Sequence, residues 1–288
     1  MTQVADTPAE LVADKRGTFV RNRELLLNLI RKELKVKYKN SALGFLWSLM
    51  NPLLYLVVFS LVLVEFLRQQ IPEYHFYLLS GLLAWNFFSQ VLPATSRSIV
   101  DNSSLVTKVY FRREVLPLAA VGAGGVHFLL QFAVLYGAML VFNHQHYWDA
   151  GMFLLPLSVV TLLLLLVGFG LILACINVYY RDVQHLLDIG LLAWFWLTPI
   201  VYSSTVATGR FWTFYLLNPM TPVVLGLQRA LYSRVSFIQD GRTIPVLPDA
   251  PVVWYAERLG YVALMAIVVI GIGLWTFRRL DGRLAEEL

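Results

Sequence analysis

The stretch "LIRKELKVKYKNSALGFLWSLMNPLLYLVVF", Leu29 to Phe59, runs a strongly basic segment straight into an uncharged apolar one, with only "NSALG" between them. A helix needs about 20 apolar residues to cross a hydrocarbon core of roughly 30 Å. The run Phe45–Phe66 meets that need, and five more qualify or nearly do: Phe76–Leu92, Val115–Phe142, Met152–Val178, Leu186–Tyr202 and Leu259–Phe277. The second and fifth are short and are expected to extend into mildly polar flanks such as "PATSRSIV". The runs are continuous rather than alternating, which speaks for helices and against a closed barrel.

Composition agrees. The chain is 58% hydrophobic and 14% charged, with a mean hydropathy of +0.65, whereas soluble domains carry about 25% charged residues. A pI near 9.3 would suit a nucleic-acid binder. Here, however, the positive charge lies beside apolar spans rather than across a soluble face, so no nucleic-acid partner is expected. Cys175 is the sole cysteine, which leaves no disulfide framework and no thiolate metal site. The first residues, "MTQVADTPAELVADKRGTFV", lack the apolar core of a signal peptide and are expected to be retained.

Six spans put both termini on the side of the loops that follow spans two and four. That side holds seventeen of the 23 Lys and Arg residues and the other side six, so both termini are expected in the cytoplasm. The opening stretch then reads as an amphipathic helix in the membrane interface. Leu26, Leu29, Ile30, Leu34 and Val36 share one arc on a helical wheel, and Arg31, Lys32, Lys35 and Lys39 lie opposite, towards anionic headgroups. Glu33 and Lys37 break the apolar arc, spaced to pair with each other. The arc is a membrane anchor on one reading; on the sharper one it also faces a protein partner.

The outer segment Arg210–Asp249 holds two short apolar pieces, "FWTFYLL" and "PVVLGLQRALYS", separated by "NPMT", and neither can cross a bilayer. A surface loop is one possibility. A pair of re-entrant helices at a pore mouth is favoured, since backbone that dips into a membrane survives when buried in protein or lining a wet cavity.

Missing chemistry narrows the function. No G-x-x-x-x-G-K-[ST] phosphate loop occurs, so nucleotide hydrolysis is not expected of this chain. Glu65, Asp188, Glu257 and Arg258 lie near span ends, leaving no mid-membrane relay of the kind ion-coupled transport needs. His127 reads as a packing histidine bonded to Gln131 one turn on. His144, His146 and Asp149 read as a solvated loop rather than a metal set. No catalytic constellation, cofactor or metal site is expected in the chain itself.

Two loops on the cytoplasmic side look suited to docking. "DNSSLVTKVYFRREVLP" offers a cap at Ser103 or Ser104, a short basic helix and then Pro117. "NVYYRDVQHLLDIG" places Tyr180, Arg181, Asp182 and His185 between spans four and five. Aromatic residues Trp47, Trp85, Phe87, Phe88, Trp194, Phe195, Trp196 and Trp212 are abundant; each alone suits an interfacial belt, and together they suit stacking on sugar rings. Pro199 is expected to free the carbonyl of Phe195 within span five, as Pro52 does for Ser48 in span one.

"RKELKVKYKNSALGFLWSLMNPLLYLVVF", "LLSGLLAWNFFSQ", "LVTKVYFRREVLPL" and "NVYYRDVQHLLDI" together resemble, in order and spacing, the permease subunit of type-2 ABC exporters of polysaccharides. The resemblance covers about residues 20 to 280. It implies an all-α integral membrane fold of six transmembrane helices, with an N-terminal amphipathic interface helix and short re-entrant outer gate helices. The chain divides into a cytoplasmic tail (1–20), the interface helix (21–40), the six-span domain (41–280) and a C-terminal tail (281–288). It also implies a homodimer in the inner membrane of a bacterium, joined by two copies of a cytoplasmic subunit that binds ATP and Mg. The substrate would be a lipid-linked polysaccharide, with cell-wall galactan the first expectation and O-antigen or teichoic acid the alternatives.

On the same basis, ATPase coupling falls to Arg31, Glu33, Lys37, Lys108, Arg112, Arg113, Glu114, Tyr180, Arg181, Asp182 and His185. The glycan path falls to Trp47, Tyr55, Trp85, Phe88, Trp194 and Trp196, and the outer gate to Phe211, Trp212, Asn218, Pro219 and Gln228. Arg97, Lys108, Arg112 and Arg113 are candidates to meet a lipid pyrophosphate, though such cations also simply follow the positive-inside rule. The rival classes are a multispan enzyme acting on lipid-linked sugars, a type-2 exporter of a small hydrophobic molecule, and an ion-coupled flippase.

Overall fold

The computed structural model describes residues 23–36, 39, 46–66, 71–108, 111–142, 149–203, 210–239 and 242–284. Among them the chain is almost wholly helical. Helix α1 covers 23–36, and α2 (Leu46–Phe59) runs on as a π-helical segment, Ser60–Phe66. There follow α3 (Tyr74–Arg97), α4 (Ser103–Lys108), α5 (Val115–Val141), α6 (Leu154–Tyr179) and α7 (Val183–Trp196). The last part holds α8 (Arg210–Leu217), α9 (Met220–Leu231), a β1–β2 hairpin (Ser236–Gln239, Arg242–Pro245) and α10 (Val252–Leu284).

Three stretches among the described residues are long and apolar enough to cross a membrane: Val115–Val141, Ala150–Tyr179 and Val252–Leu280. The first two match the expected third and fourth spans to within a few residues. The third is longer than expected, because the charged flanks of the apolar run continue the helix at both ends. Helix α3 does extend through "PATSR" to Arg97, as its polar flank suggested. Its 24 residues make about 36 Å of helix, and α5, α6 and α9 surround it. Protein rather than lipid therefore covers most of it, and its modest hydropathy follows from that. Helix α2 is the opposite case, with Leu53, Leu54, Val57, Val58 and Leu61 all exposed along an uncovered apolar face.

The fifth segment departs from expectation. Helix α7 stops at Trp196, and the Phe195 carbonyl accepts a hydrogen bond from the Thr198 N–H at 3.2 Å. Pro199 therefore lies beyond a finished helix and does not kink a continuing span. Fourteen residues give only about 21 Å of helix. The two short helices expected after it are present as α8 and α9. A feature not expected is the antiparallel hairpin, paired from Ser236↔Pro245 to Gln239↔Arg242.

Helices α6 and α10 pack against each other most extensively. A Cβ at Gly168 would meet Val269 Cγ1 at 3.1 Å, and one at Gly273 would meet Leu171 Cβ at 2.8 Å. Small residues at these points let two backbones approach without a void, the usual device of membrane helix packing. A large core joins α3, α5, α6, α9 and α10. A second, smaller cluster gathers Leu29, Val106, Val115, Val178 and Phe277 at one end of the bundle.

Candidate functional site

That second cluster brings together the segments the sequence marked for coupling. Leu29 is buried in it, Leu25, Leu26 and Ile30 pack against it, and Gly122 on α5 leaves room for Ile30. The apolar arc of α1 thus faces protein, and the protein is its own chain. Val36, assigned to that arc, is instead 62% exposed and takes no part in the cluster. Lys32, assigned to the headgroup side, donates to Asn102 Oδ1 at 2.7 Å and ties α1 to the turn after α3. Arg31 is exposed and Glu33 half-buried, while Lys37 lies outside the described residues.

The loop after α3 also differs in detail. A 3-10 turn, Val100–Asn102, leads directly into α4, and Ser103 already has helical backbone (φ −52°, ψ −42°). The expected cap at Ser103 or Ser104 is therefore absent, since the chain arrives already coiled. Lys108 and Arg112 are exposed; Arg112 reaches Glu114 at 3.3 Å, and Arg113 is half-buried. Tyr180, Arg181 and Asp182 on the α6–α7 turn and His185 in the first turn of α7 are all exposed. Asp182 occupies the cap position of α7, yet its side chain makes no capping hydrogen bond. These four side chains are presented outward from a turn closed by backbone bonds such as Val183 N–H to Tyr180 O at 3.2 Å.

Tyr55, Phe59, Trp85, Phe88, Phe169, Trp194, Phe195 and Trp196 assemble into one network across α2, α3, α6 and α7. Tyr55 stacks on Phe59 and Phe195, with ring centroids 5.9 and 6.2 Å away. Trp85 meets Phe195 at 5.6 Å, and Phe88 meets Trp194 edge-on at 5.2 Å. The six residues assigned to a pathway separate by burial. Phe88 is fully enclosed and Trp85 is 5% exposed, so neither offers an open ring face in this conformation. Tyr55, Trp196 and Trp47 are 41%, 54% and 57% exposed and do. Trp194 lies between the two groups, half-buried. Phe59 and Phe195 complete the stack; Phe195 is among the aromatics the sequence marks as suited to stacking, and Phe59 is not.

At the far end of α7 a hydrogen-bond network explains how a helix can break inside the bundle. Backbone that leaves helical geometry away from water needs partners for its carbonyls. Asn218 donates to the Leu197 carbonyl at 3.0 Å, and Gln228 donates to Pro199 O at 3.3 Å. Tyr74 takes Val201 O, Tyr77 takes Tyr202 O, and the Tyr202 hydroxyl takes Trp196 O, at 2.7–2.8 Å. Tyr215 on α8 then donates to the Tyr202 oxygen at 2.7 Å. Sequence reading missed all four tyrosines.

Asn218 is the hub of this network. Its Oδ1 accepts from Trp194 Nε1 at 2.7 Å and from Met220 N–H at 3.0 Å, while its Nδ2 also reaches Thr198 Oγ1. One side chain thus joins the end of α7 to the start of α9, where Pro219 holds the cap position. Gln228, assigned to an outer gate, is fully buried, with Gly81 on α3 leaving the space it occupies. The side chains of Phe211 and Trp212 lie outside the described residues.

On the same side, two ion pairs clamp the ends of the bundle. Arg229 on α9 meets Asp149 at 2.6 Å ahead of α6, and Arg234 meets Glu73 at 2.6 Å at the left-handed (φ 49°) start of α3. His144 and His146 lie outside the described residues; Asp149 pairs with Arg229, and no metal-ligand cluster occurs among the described residues. Desolvation opposes the Asp149 carboxylate, but the hydrogen bond and charge of Arg229 outweigh it and hold its pKa below the usual range. A depressed pKa contributes stability above the unfolded value of about 3.9 and loses it as pH falls through the folded one. Below about pH 4 the unfolding temperature should therefore fall more steeply in the native chain than in Asp149→Asn. Parallel pH profiles in a thermal-unfolding series would show that the clamp contributes nothing.

The ABC-2 type transporter family model matches residues 24–232. The O-antigen export system permease protein RfbA of Myxococcus xanthus is 34% identical over 241 residues, covering 82% of this chain and 91% of that protein. A protein of the same name from Klebsiella pneumoniae is 29% identical over 267 residues, 92% of this chain and 95% of its own length. The polysialic acid transport protein KpsM of Escherichia coli is 24% identical over 255 residues, 87% and 91% of the two chains.

Proposed function

From the premise that this chain belongs to the ABC-2 type transporter membrane family, we propose that it is the membrane permease of an ATP-driven polysaccharide exporter. The similarity to O-antigen and polysialic acid permeases across nearly their full lengths carries this reading. In it, α2, α3 and α7 complete a six-helix membrane body with α5, α6 and α10, and both termini face the cytoplasm. Two copies form the conduit, and two copies of a separate subunit supply ATP hydrolysis with Mg. The chain itself supplies the transport path and no ATP hydrolysis.

The coupling surface is the end of the bundle where α1, the 100–114 loop and the α6–α7 turn meet. Exposed Arg31, Lys108, Arg112, Arg181 and Asp182 lie there, around a shared apolar cluster. The accessible rings of Tyr55, Trp196 and Trp47 on α2 and α7 offer stacking faces to sugars, with Trp85 and Phe88 packed behind them. Helices α8 and α9 are the outer gate elements, locked to α7 through Asn218. The substrate is a lipid-linked glycan. The relatives' names speak for an O-antigen-like polymer, and a cell-wall galactan is the narrower alternative within that class.

The experiment is purification of the tagged chain in mild detergent with quantitative mass spectrometry of what accompanies it, followed by depletion of the chain in its host. A soluble ATP-binding protein at one copy per permease is expected, with polysaccharide accumulating inside the cells. A chain that emerges alone, with surface glycan undiminished on depletion, would overturn the reading. Transport that survives ATP depletion and collapses with the ion gradient would replace it with an ion-coupled one.

A further inference from the structure

Helix α3 is fastened at each end to an element with a different task. At its inner end the chain turns through Val100–Asn102 into α4, and Asn102 is only 7% exposed there. Its Nδ2 donates back to Ser98 O at 2.9 Å, and its Oδ1 accepts from Lys32 Nζ of α1 at 2.7 Å. One side chain therefore joins α1, α3 and the approach to α4. At the outer end Tyr74 and Tyr77 hold the carbonyls of Val201 and Tyr202, just past the break of α7, each at 2.8 Å. Glu73, ahead of the helix, pairs with Arg234 at 2.6 Å. Most residues of the helix between these fastenings are buried.

Packing along this rod is uneven. Towards α6 and α9 it is close: a Cβ at Gly170 would meet Thr95 Cβ at 2.9 Å, and one at Gly81 would meet Gln228 Nε2 at 2.9 Å. Towards α5 the closest approach is midway, where Gly124 leaves room for Val91 and the rings of Phe87 and Phe128 lie 5.0 Å apart. The rest of that seam is open. A cavity of about 340 Å³ follows its inner half beneath α1, and one of about 440 Å³ follows its outer half beside α2. Asn86, which lines both, is 4% exposed, and its Nδ2 has no hydrogen-bond partner in this arrangement. Close-packed helices pass a displacement on with little loss. Voids along one face leave α3 room for a second arrangement against α5, the kind of small helix shift that switching proteins use.

We propose that α3 is a strut linking the state of α1 to the state of the broken end of α7, with Lys32 and Asn102 as the positioning residues through which α1 acts on it. The assignment rests on the export reading for what the two ends serve, coupling at one and the outer gate at the other. A shift of α1 draws on Asn102, and α3 carries it to Tyr74 and Tyr77, whose hydroxyls keep the chain beyond Trp196 in place. Helix α7 itself joins the α6–α7 turn to that break; α3 adds a path that starts at α1. Coupling between two sites is reciprocal, so loosening either end of the strut loosens the other.

The test uses the full chain in lipid nanodiscs and amide hydrogen exchange, which reads local opening segment by segment. Lys32→Met keeps the apolar stem and removes the donor. It should speed exchange in peptides spanning 197–203 about threefold while α6 keeps its native rate. Lys32→Arg retains a donor and should leave 197–203 unchanged. In the reverse direction Tyr77→Phe should speed exchange in α1 about twofold. Lys32 is exposed, so its two variants decide the matter if Tyr77→Phe fails to fold. Faster exchange confined to α1 and the turn after α3 would overturn the proposal. A uniform rise that includes α6 would overturn it too, since Lys32 would then be a general support of the fold. With the ATP-binding subunit added, Lys32→Met should lower the polysaccharide delivered per ATP about threefold, and undiminished delivery would remove Lys32 from the path. A chain that exports polysaccharide but shows no exchange coupling between its ends refutes the strut alone. A chain whose ends are coupled but that exports nothing refutes the export reading alone.

Discussion

Replacing Asn218 with alanine is expected to lower the thermal unfolding midpoint of the purified chain by roughly 5–10 °C. The side chain accepts from Trp194 Nε1 and Met220 N–H and donates to Leu197 O and Thr198 Oγ1. Alanine leaves all four groups to find other partners. Each buried group left unpaired costs about 1–3 kcal/mol. Interhelical hydrogen bonds in membranes are worth about 0.6 kcal/mol on average, so about 2–3 kcal/mol in total is a fair expectation. For a chain of this size 1 kcal/mol shifts the midpoint by about 2–4 °C. Asn218→Asp keeps the acceptor and loses the donor, and should fall between the two. Trp194→Phe keeps the ring contacts and removes one donor, so its loss should be the smallest. A shift of under 1 °C for the alanine variant in a detergent thermostability series would mean that the end of α7 is held by the tyrosines and Gln228 without it.

The same network shows what the sequence could and could not disclose. Helices α5 and α6 were legible almost to the residue, because an unbroken apolar run bounded by charge has one economical structure in a bilayer. Helix α3 was legible only in part, since hydropathy measures contact with lipid and this helix is covered mostly by protein. The helix break at Trp196 was marked by Pro199 but misplaced, because a proline within an apolar run reads equally well as a kink or a stop. The rescue of that break was not legible at all. Tyr77 lies 125 positions from the carbonyl it binds and Gln228 lies 29 from its own. No local pattern joins a tyrosine on one helix to a broken turn on another.

The hairpin did leave a local signal, Asp240-Gly241 between "SFIQ" and "RTIP", a dipeptide suited to a two-residue turn. Strands of only four residues each leave too short an alternation to stand out beside the longer apolar pieces that precede them. On the opposite face, the sequence placed the coupling segments in one compartment through charge alone. The structure adds the reason they stay together: Leu29, Val106, Val115, Val178 and Phe277 share one apolar cluster.

The double change Arg181→Ala with Asp182→Ala is expected to leave folding intact and to reduce polysaccharide exported per ATP hydrolysed at least tenfold. Both side chains are exposed on the α6–α7 turn, and the turn is closed by main-chain bonds rather than by either of them. Surface substitutions of this kind usually change stability by no more than about 0.5 kcal/mol. Losing the aspartate at the start of α7 removes a favourable interaction with the helix dipole worth about 0.3–1 kcal/mol. Neither loss approaches the margin of about 5–15 kcal/mol that keeps a typical protein folded. A functional defect would therefore have to arise outside the chain, at a surface that Arg181 and Asp182 touch only when a partner is docked. The measurement is paired: glycan delivered into inverted vesicles and ATP consumed by the same vesicles. Hydrolysis that continues while delivery stops locates coupling at this turn. Loss of both, with the ATP-binding subunit no longer co-purifying, locates docking there instead. Undiminished delivery by the double variant would remove the α6–α7 turn from the coupling surface and leave α1 and the 100–114 loop to carry it.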